Sequence, residues 1–252
     1  MGVDALSPLD LVNLDALANV SEEQREALAK AASVILCAAG VFVRPFALAV
    51  VLDGEITLTS GDGSRVIARL GPGVLVHMRG TLETTLPLLV AVTTDDTTLA
   101  LWTDDALNST FAATPWVEED LRVEGDRLQA WAQVAESPLA ARLHDDVRLR
   151  LFGKLVARTL SAGDTLVAEG DPVQGLILVG AGSVMTGLEG ALGAQALTSG
   201  EFVFPGAALS AARAESNARA GFGGAVVLVA DRATTQELVS TEPLLLEILA
   251  GM

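Results

Sequence analysis

The chain has 252 residues, half of them hydrophobic, which is enough apolar material for one large domain or two modest ones. Its 32 acidic residues outnumber the 16 basic ones, and the net charge of −16 comes without any cluster of Lys and Arg. This balance argues against nucleic acid or an anionic membrane as a partner. The one cysteine, Cys37, excludes an intramolecular disulfide and is typical of a reducing, cytoplasmic location.

The first predicted helix begins after residue 20, where Ser21 and Gln24 have the spacing of a capping box. The preceding residues, MGVDALSPLD, lack the basic start and apolar core of a signal peptide. From Ala31 to Leu52 the sequence is almost entirely apolar, but Arg44 and Pro45 interrupt it. A central Arg disfavours membrane insertion, so this stretch predicts the end of a helix and two buried strands. Cys37 is expected to be buried and inert there.

A β-hairpin is predicted next, because residues 55–70 (EITLTSGDGSRVIARL) alternate in polarity around Gly-Asp-Gly-Ser. A long helix from Trp116 to Val134 is then expected to link the two halves of the chain. The last predicted helix begins near Leu244.

The two halves are copies of one unit. Both contain an acidic cap, an amphipathic helix, an Ala-Gly turn and several short strands separated by glycine turns. We therefore predict two domains, residues 1–125 with the linking helix running to about 135, and residues 137–252. The positions that match are Gly40 with Gly163, Gly54 with Gly182, Gly73 with Gly200, and Pro115 with Pro243.

Short strands at even spacing between flanking helices predict the fold class. The expected fold is mainly β with flanking helices, as two tandem double-stranded β-helix (jelly-roll) domains.

The second copy carries two phrases, LSAGDTLVAEGDPVQGLILVGAGSV and LTSGEFVFPGAAL, that resemble the cyclic-nucleotide-binding domain family. The first copy resembles that family mainly because it resembles the second copy. The resemblance implies a β-roll with flanking helices in which residues 169–172 (EGDP) form a structural turn. It also implies a regulatory role without catalysis.

In that family a Glu at a short helix accepts from the ribose hydroxyl, and a nearby Arg pairs with the cyclic phosphate. In the second copy the resemblance places the Glu position at Pro205 or Gly206 and the Arg position at Ser216. Neither Pro205 nor Gly206 has a side chain that accepts from a hydroxyl, and Ser216 has no charge to pair with the phosphate. Burying a phosphate without a cation is costly, so usual cAMP or cGMP binding is not expected.

The first copy departs in the same way, with Met78 at the Glu position and Pro87 at the Arg position. Arg79 and Glu83 lie nearby but out of register. A site rebuilt for another small anion remains an alternative in the second copy. Its candidate ligand-binding residues are Phe204, Gly206, Ala207, Ala208, Arg213, Asn217 and Arg219.

The linking helix is a candidate interface. Val117, Leu121, Leu128 and Trp131 follow a heptad-like pattern in which Glu124 fills the missing position. Resemblance to the family's dimeric sensors implies self-association through this stripe. The alternative is that the stripe packs back on the two rolls.

No catalytic motif is present, so we do not expect an enzyme, and neither a cofactor nor a metal is predicted. His77 and His144 fall at different points of the repeat, which disfavours a cupin-like metalloenzyme, the third hypothesis. No helix-turn-helix follows the second copy, so a transcription factor is not expected. The preferred hypothesis is a regulatory or adaptor protein that acts through a protein partner or self-association. A sensor of a small anionic ligand is second.

Overall fold

A computed structural model describes residues 11, 14, 17, 20–82, 89–187 and 194–251. The chain divides into two compact units. Among the described residues the first unit ends at Leu128 and the second begins at Gln129, with Leu82 grouped in the second.

The first unit opens with helix α1 (Glu22–Ala31), whose start is the predicted capping box of Ser21 and Gln24. The strands are β1 (Ser33–Cys37), β2 (Leu48–Asp53), β3 (Ile56–Ser60), β4 (Val66–Leu70), β5 (Leu75–His77), β6 (Leu89–Thr93) and β7 (Thr97–Trp102), and the short helix α2 (Asp104–Thr110) follows. The strands form an antiparallel four-stranded sheet of order β1-β7-β2-β5 and a three-stranded sheet of order β4-β3-β6. The predicted hairpin is β3–β4.

Helix α3 (Pro115–Glu136) runs without interruption from the predicted proline. Proline suits this first position because its missing N–H has no partner in a helix anyway. The helix therefore begins in the first unit and ends in the second.

In the second unit the helices before the sheet are α4 (Pro138–Arg142) and α5 (Asp145–Lys154). The strands are β8 (Val156–Leu160), β9 (Thr165–Val167), β10 (Ile177–Thr186), β11 (Gln195–Thr198) and β12 (Ala218–Val229), and the remaining helices are α6 (Pro205–Ser210), α7 (Arg232–Thr241) and α8 (Pro243–Ala250). The two long strands, β10 and β12, form the centre of a sheet of order β11-β10-β12-β8, and β9 also pairs with β12.

Each unit has its own apolar core. In the first, α1 packs on the sheet and the buried Trp102 donates from Nε1 to the Leu28 carbonyl at 2.8 Å. In the second, alternate residues of β10 and β12 meet inside the roll, among them Val179, Val184 and Val227.

The predicted repeat has a structural counterpart at the corner of each roll. Gly54, with φ +80°, lies so close to Asp96 that a Cβ would be 2.7 Å from the Asp96 carbonyl oxygen. Gly182, with φ +72°, crosses the Gly224 carbonyl in the same way. Both corners need glycine for the same two reasons, the left-handed backbone and the close approach. The expected fold class, mainly β with flanking helices, is confirmed.

The prediction that residues 31–52 form buried strands is partly wrong. Leu36 and Phe42 are 65% and 72% exposed, and Cys37 is half-buried instead of buried. The reason is that β1 covers the core with one face only, and its outward face and the following turn stay in solvent. No helix in the described part of the chain has the length and hydrophobicity needed to cross a bilayer.

Candidate functional site

The site implied by the resemblance is the segment between β11 and β12, which carries α6. Its entry is set by Phe204, which takes a left-handed conformation with φ +49° before Pro205 begins the helix. Gly206 is exposed, and a side chain there would meet nothing within 4 Å. Ser216 is half-buried. The segment thus folds into a turn and short helix that offer neither a carboxylate nor a cation at the expected positions.

The inner side of this turn is occupied by apolar side chains. Val173, Ala208 and Ala214 are buried there, and Phe204 and Ala207 pack against them. An apolar interior disfavours a phosphate group, because desolvation would not be repaid by a charged partner. Of the candidate ligand-binding residues, Phe204, Ala207 and Ala208 therefore lie in a small core.

Arg213 and Asn217 hold the adjacent EGDP turn. The Arg213 guanidinium donates to the Gly170 carbonyl at 2.6 Å, and the Asn217 side-chain oxygen accepts from the Glu169 N–H at 3.1 Å. Main-chain bonds from Gly170 to Ala214, and from Ala214 to Asp171, complete the clasp. These two side chains thus have a structural contact that the sequence reasoning did not assign to them.

Arg219 lies elsewhere, on the exposed face of β12. It lines a cleft of about 730 Å³ together with Asn217, Met185, Thr186 and the fully exposed Phe222. Among the lining residues that the structure describes, Arg219 is the one with a charged side chain. The structure therefore brings Arg219 and Asn217 to one cleft and leaves Arg213 outside it.

In the first unit the corresponding segment lies against helix α3. The Arg79 guanidinium pairs with Asp104 at 2.9 Å, and the buried Asp126 carboxylate accepts from both the N–H and the hydroxyl of Thr81. A Cβ on Gly125 would overlap the Arg79 carbonyl, so this crossing depends on glycine. Two positions of the expected site, Glu83 and Pro87, lie outside the described residues.

This contact is what the sequence reasoning missed. Glycine is unfavourable inside a helix, yet Gly125 is the place where residues 77–81 cross α3. The available signal was an unfavourable residue inside an otherwise regular helical pattern.

His77 is buried beside this crossing. Its Nδ1 lies 2.8 Å from the carbonyl oxygen of Arg79, and its Nε2 has no hydrogen-bond partner among the described residues. Burial lowers the pKa of His77, opposed by the Arg79 backbone contact and reinforced by the Arg122 charge. Within the described ranges no group of three or more His, Cys, Asp or Glu is placed to hold a metal ion. His144 is the exposed N-cap of α5.

The candidate interface stripe on α3 is buried within the chain: Val117, Leu121, Leu128 and Trp131 are all covered. The position between Leu121 and Leu128 is filled by the buried Gly125, whereas Glu124 is exposed, so the sequence reasoning misplaced the missing member. Trp131 stacks on Phe152 with ring centroids 5.8 Å apart. This burial favours the alternative in which the stripe packs inside the chain.

No family model matches the chain, and no curated protein matches its sequence. Solved structures similar to it include the regulatory domain of Toxoplasma gondii PKA with cAMP, at 16% identity over 97% of this chain and 95% of that one, with a TM-score of 0.41. Another is the Thermus thermophilus catabolite activator protein, at 23% identity over 46% of this chain and 55% of that one, with a TM-score of 0.40.

A third is a regulatory subunit of a cAMP-independent protein kinase A from Trypanosoma cruzi bound to guanosine, at 14% identity over 100% and 91% of the two chains, with a TM-score of 0.39. The cAMP and the guanosine are ligands of those proteins.

Proposed function

We propose that this chain is a non-catalytic regulatory or adaptor protein of the cytoplasm, built of two cyclic-nucleotide-binding-like units, that acts through protein contacts. The observation that carries the proposal is the interior of the turn at α6. Val173, Ala208 and Ala214 fill it, and Pro205 and Ser216 stand at the positions of the Glu that would bind the ribose hydroxyl and the Arg that would bind the cyclic phosphate. A unit that lacks these ligand contacts can still act through its surface, by binding another protein.

Titration calorimetry and thermal unfolding with cAMP, cGMP and cyclic dinucleotides test the proposal. A ligand at 100 times its Kd stabilises the folded state by about 2.7 kcal/mol, so a sensor would show a clear rise in Tm. We expect no saturable heat and no rise in Tm at about 1 mM ligand, since the phosphate lacks a buried cation. A domain that retains the Glu and Arg pair serves as the positive control. A saturable isotherm at micromolar ligand would contradict the proposal.

The second candidate is a sensor of a small anionic ligand, and the cleft at Arg219 favours it. The cleft joins one cation to apolar surface from Met185 and Phe222, which suits an anion with an aromatic part. If the same calorimetric series gives an isotherm, Arg219→Ala should abolish it. Arg158→Ala, which removes an exposed arginine from β8, is the matched control and should leave it unchanged.

A further inference from the structure

The end of β1 and the turn after it form a mostly exposed segment without a charged, hydroxyl or amide side chain. This segment, the apolar turn, comprises residues 36–42 with the sequence LCAAGVF. Leu36, Val41 and Phe42 are 65%, 42% and 72% exposed, and Ala38 and Ala39 are exposed with them. Single exposed apolar residues are ordinary, but several large ones on one short turn mark an interaction surface.

The second unit contains the same turn in polar form. Gly40 and Gly163 have φ of +76° and +80°, and their N–H groups donate to Thr93 and Ala220 carbonyls at 2.8 and 3.0 Å. The backbone is therefore held alike in both units. The sequence of residues 159–165 is TLSAGDT, so Thr159, Ser161, Asp164 and Thr165 stand where the first unit has Leu36, Ala38, Val41 and Phe42.

Comparison of the turns in the two units shows which side chains the backbone of the turn requires. Asp164 and Thr165 are compatible with the turn, so the fold does not require Val41 and Phe42 at the corresponding positions. Both apolar residues are exposed, so they contribute little to the core of the first unit. Their presence is explained if another surface covers them.

We propose that the apolar turn is a docking surface for a protein partner that presents a concave apolar groove bordered by basic residues. The proposal rests on the proposed function and names the surface through which it works. A groove would cover the exposed side chains of a turn more fully than a flat face would. The exposed Asp96 contacts the turn, Asp95 precedes Asp96 in the chain and is exposed too, and the exposed Arg44 follows Phe42 by two residues. Asp96 is fixed there, since its carboxylate accepts from the Ala39 N–H at 3.2 Å.

Charge also disfavours a second copy of the chain or an anionic membrane as the partner of the apolar turn. A second copy of the chain would bring its own Asp95 and Asp96 to the same surface, and each copy carries a net charge of −16. An anionic membrane would be repelled for the same reason. A partner with Lys and Arg around an apolar pocket would be attracted to Asp95 and Asp96 and would also bury the apolar side chains.

The test begins with a photo-cross-linking benzoylphenylalanine at position 42, compared with the same group at the equivalent position 165. Both are expressed in the cells that make the protein. The cross-linked protein is identified, purified and titrated by calorimetry against wild type and the variant V41D/F42T. This variant copies the second unit's residues, so it should keep the wild-type circular dichroism and Tm. Leu36→Thr, copied from Thr159, is the second variant if V41D/F42T unfolds.

We expect a cross-link from position 42 and none from position 165. The variant should bind the purified partner at least about tenfold more weakly, the loss typical of removing a central aromatic contact. Wild-type affinity should also fall as salt rises, because the charges of Asp95 and Asp96 are screened.

Four results would overturn the docking surface. A cross-link to a second copy, with a dimer in light scattering that V41D/F42T abolishes, would assign the turn to self-association. Flotation with phosphatidylglycerol vesicles, lost in V41D/F42T, would assign it to a membrane. A partner that binds V41D/F42T as tightly as wild type would remove the role of the turn but leave the proposed function standing. If no protein binds the wild type at all, both proposals fail.

Discussion

His77 is 1% exposed and lies among charged groups on the chain around it. Arg79 belongs to its own segment, and Arg122 and Glu118 face it from α3 and pair with each other at 3.3 Å. A buried imidazole is stable in its neutral form, since the ion would lose its hydration. This residue has a structural position next to the Gly125 crossing and needs no metal to explain it.

The stability of the protein should therefore fall on acidification through His77. The pKa of His77 in the folded state is below its ordinary 6.5, so the unfolded chain takes up the proton first. Its contribution is fully present above pH 6.5 and is lost as pH falls toward the lower folded value. Denaturant unfolding between pH 7 and pH 5 measures this slope. His77→Asn should flatten it, and His144→Asn, at an exposed position, is the control that should retain it.

Helix α3 has a buried face and an exposed face, and a glycine lies in the buried one. One face is buried along Val117, Leu121, Gly125 and Leu128, while Trp116 and Val123 are 56% and 53% exposed on another. Gly125 weakens the isolated helix, but it allows the backbone of Arg79 to lie against it.

Gly125→Ala should lower the free energy of unfolding, although the same change stabilises a free helix by about 1 kcal/mol. Here the new methyl group overlaps the Arg79 carbonyl, and we expect a net loss of about 1–3 kcal/mol. Gly206→Ala is the matched control, because nothing lies within 4 Å of its new Cβ in α6. The control should gain up to about 1 kcal/mol in urea unfolding. A stabilised Gly125→Ala would contradict the close crossing.

Leu128→Glu tests which role the buried stripe of α3 has. A charge at this covered position should cost a few kcal/mol, whereas Val123→Glu, on the exposed face, should stay within about 0.5 kcal/mol of wild type. Chemical denaturation gives both values, and light scattering gives the mass. If Leu128→Glu instead converts a dimer to a stable folded monomer, the stripe is an interface between copies.

At the scale of the whole molecule, the two units share several glycine turns and differ in the surfaces around them. Their corners at Gly54 and Gly182 are equivalent, and so are the turns at Gly40 and Gly163. The units differ in the groups around these shared positions. The first has an apolar turn and a buried crossing at Gly125, and the second has the clasped EGDP turn and the cleft at Arg219.

Equivalent corners should respond equally to one substitution. Gly54→Ala and Gly182→Ala each place a Cβ against the crossing chain at positive φ, and each should cost more than about 2 kcal/mol. Gly73→Ala, at φ +80° with nothing within 4 Å, should cost only the backbone strain of about 1–2 kcal/mol. Urea unfolding of the three variants measures the difference. A large cost at one corner alone would contradict the structural repeat.

The sequence by itself determined the elements that depend on local chemistry. The capping box at Ser21, the prolines that begin α3 and α8, and the hairpin at residues 55–70 were all readable from residue type and spacing. Matched glycines of the predicted repeat were readable too, since Gly40 and Gly163, and Gly54 and Gly182, share a left-handed backbone conformation.

Only the tertiary structure decided which side chains meet. Arg213 and Arg219 look alike in sequence, yet one clasps Gly170 and the other lines the cleft. Leu36 and Phe42 read as core residues, because hydrophobicity does not tell the inner face of a strand from the outer one. Gly125 is unfavourable in a helix taken alone, and only the packing of residues 77–81 against it explains its presence. Local pattern specifies backbone conformation, whereas contacts between distant residues depend on how the elements pack, and that is where the candidate sites are formed.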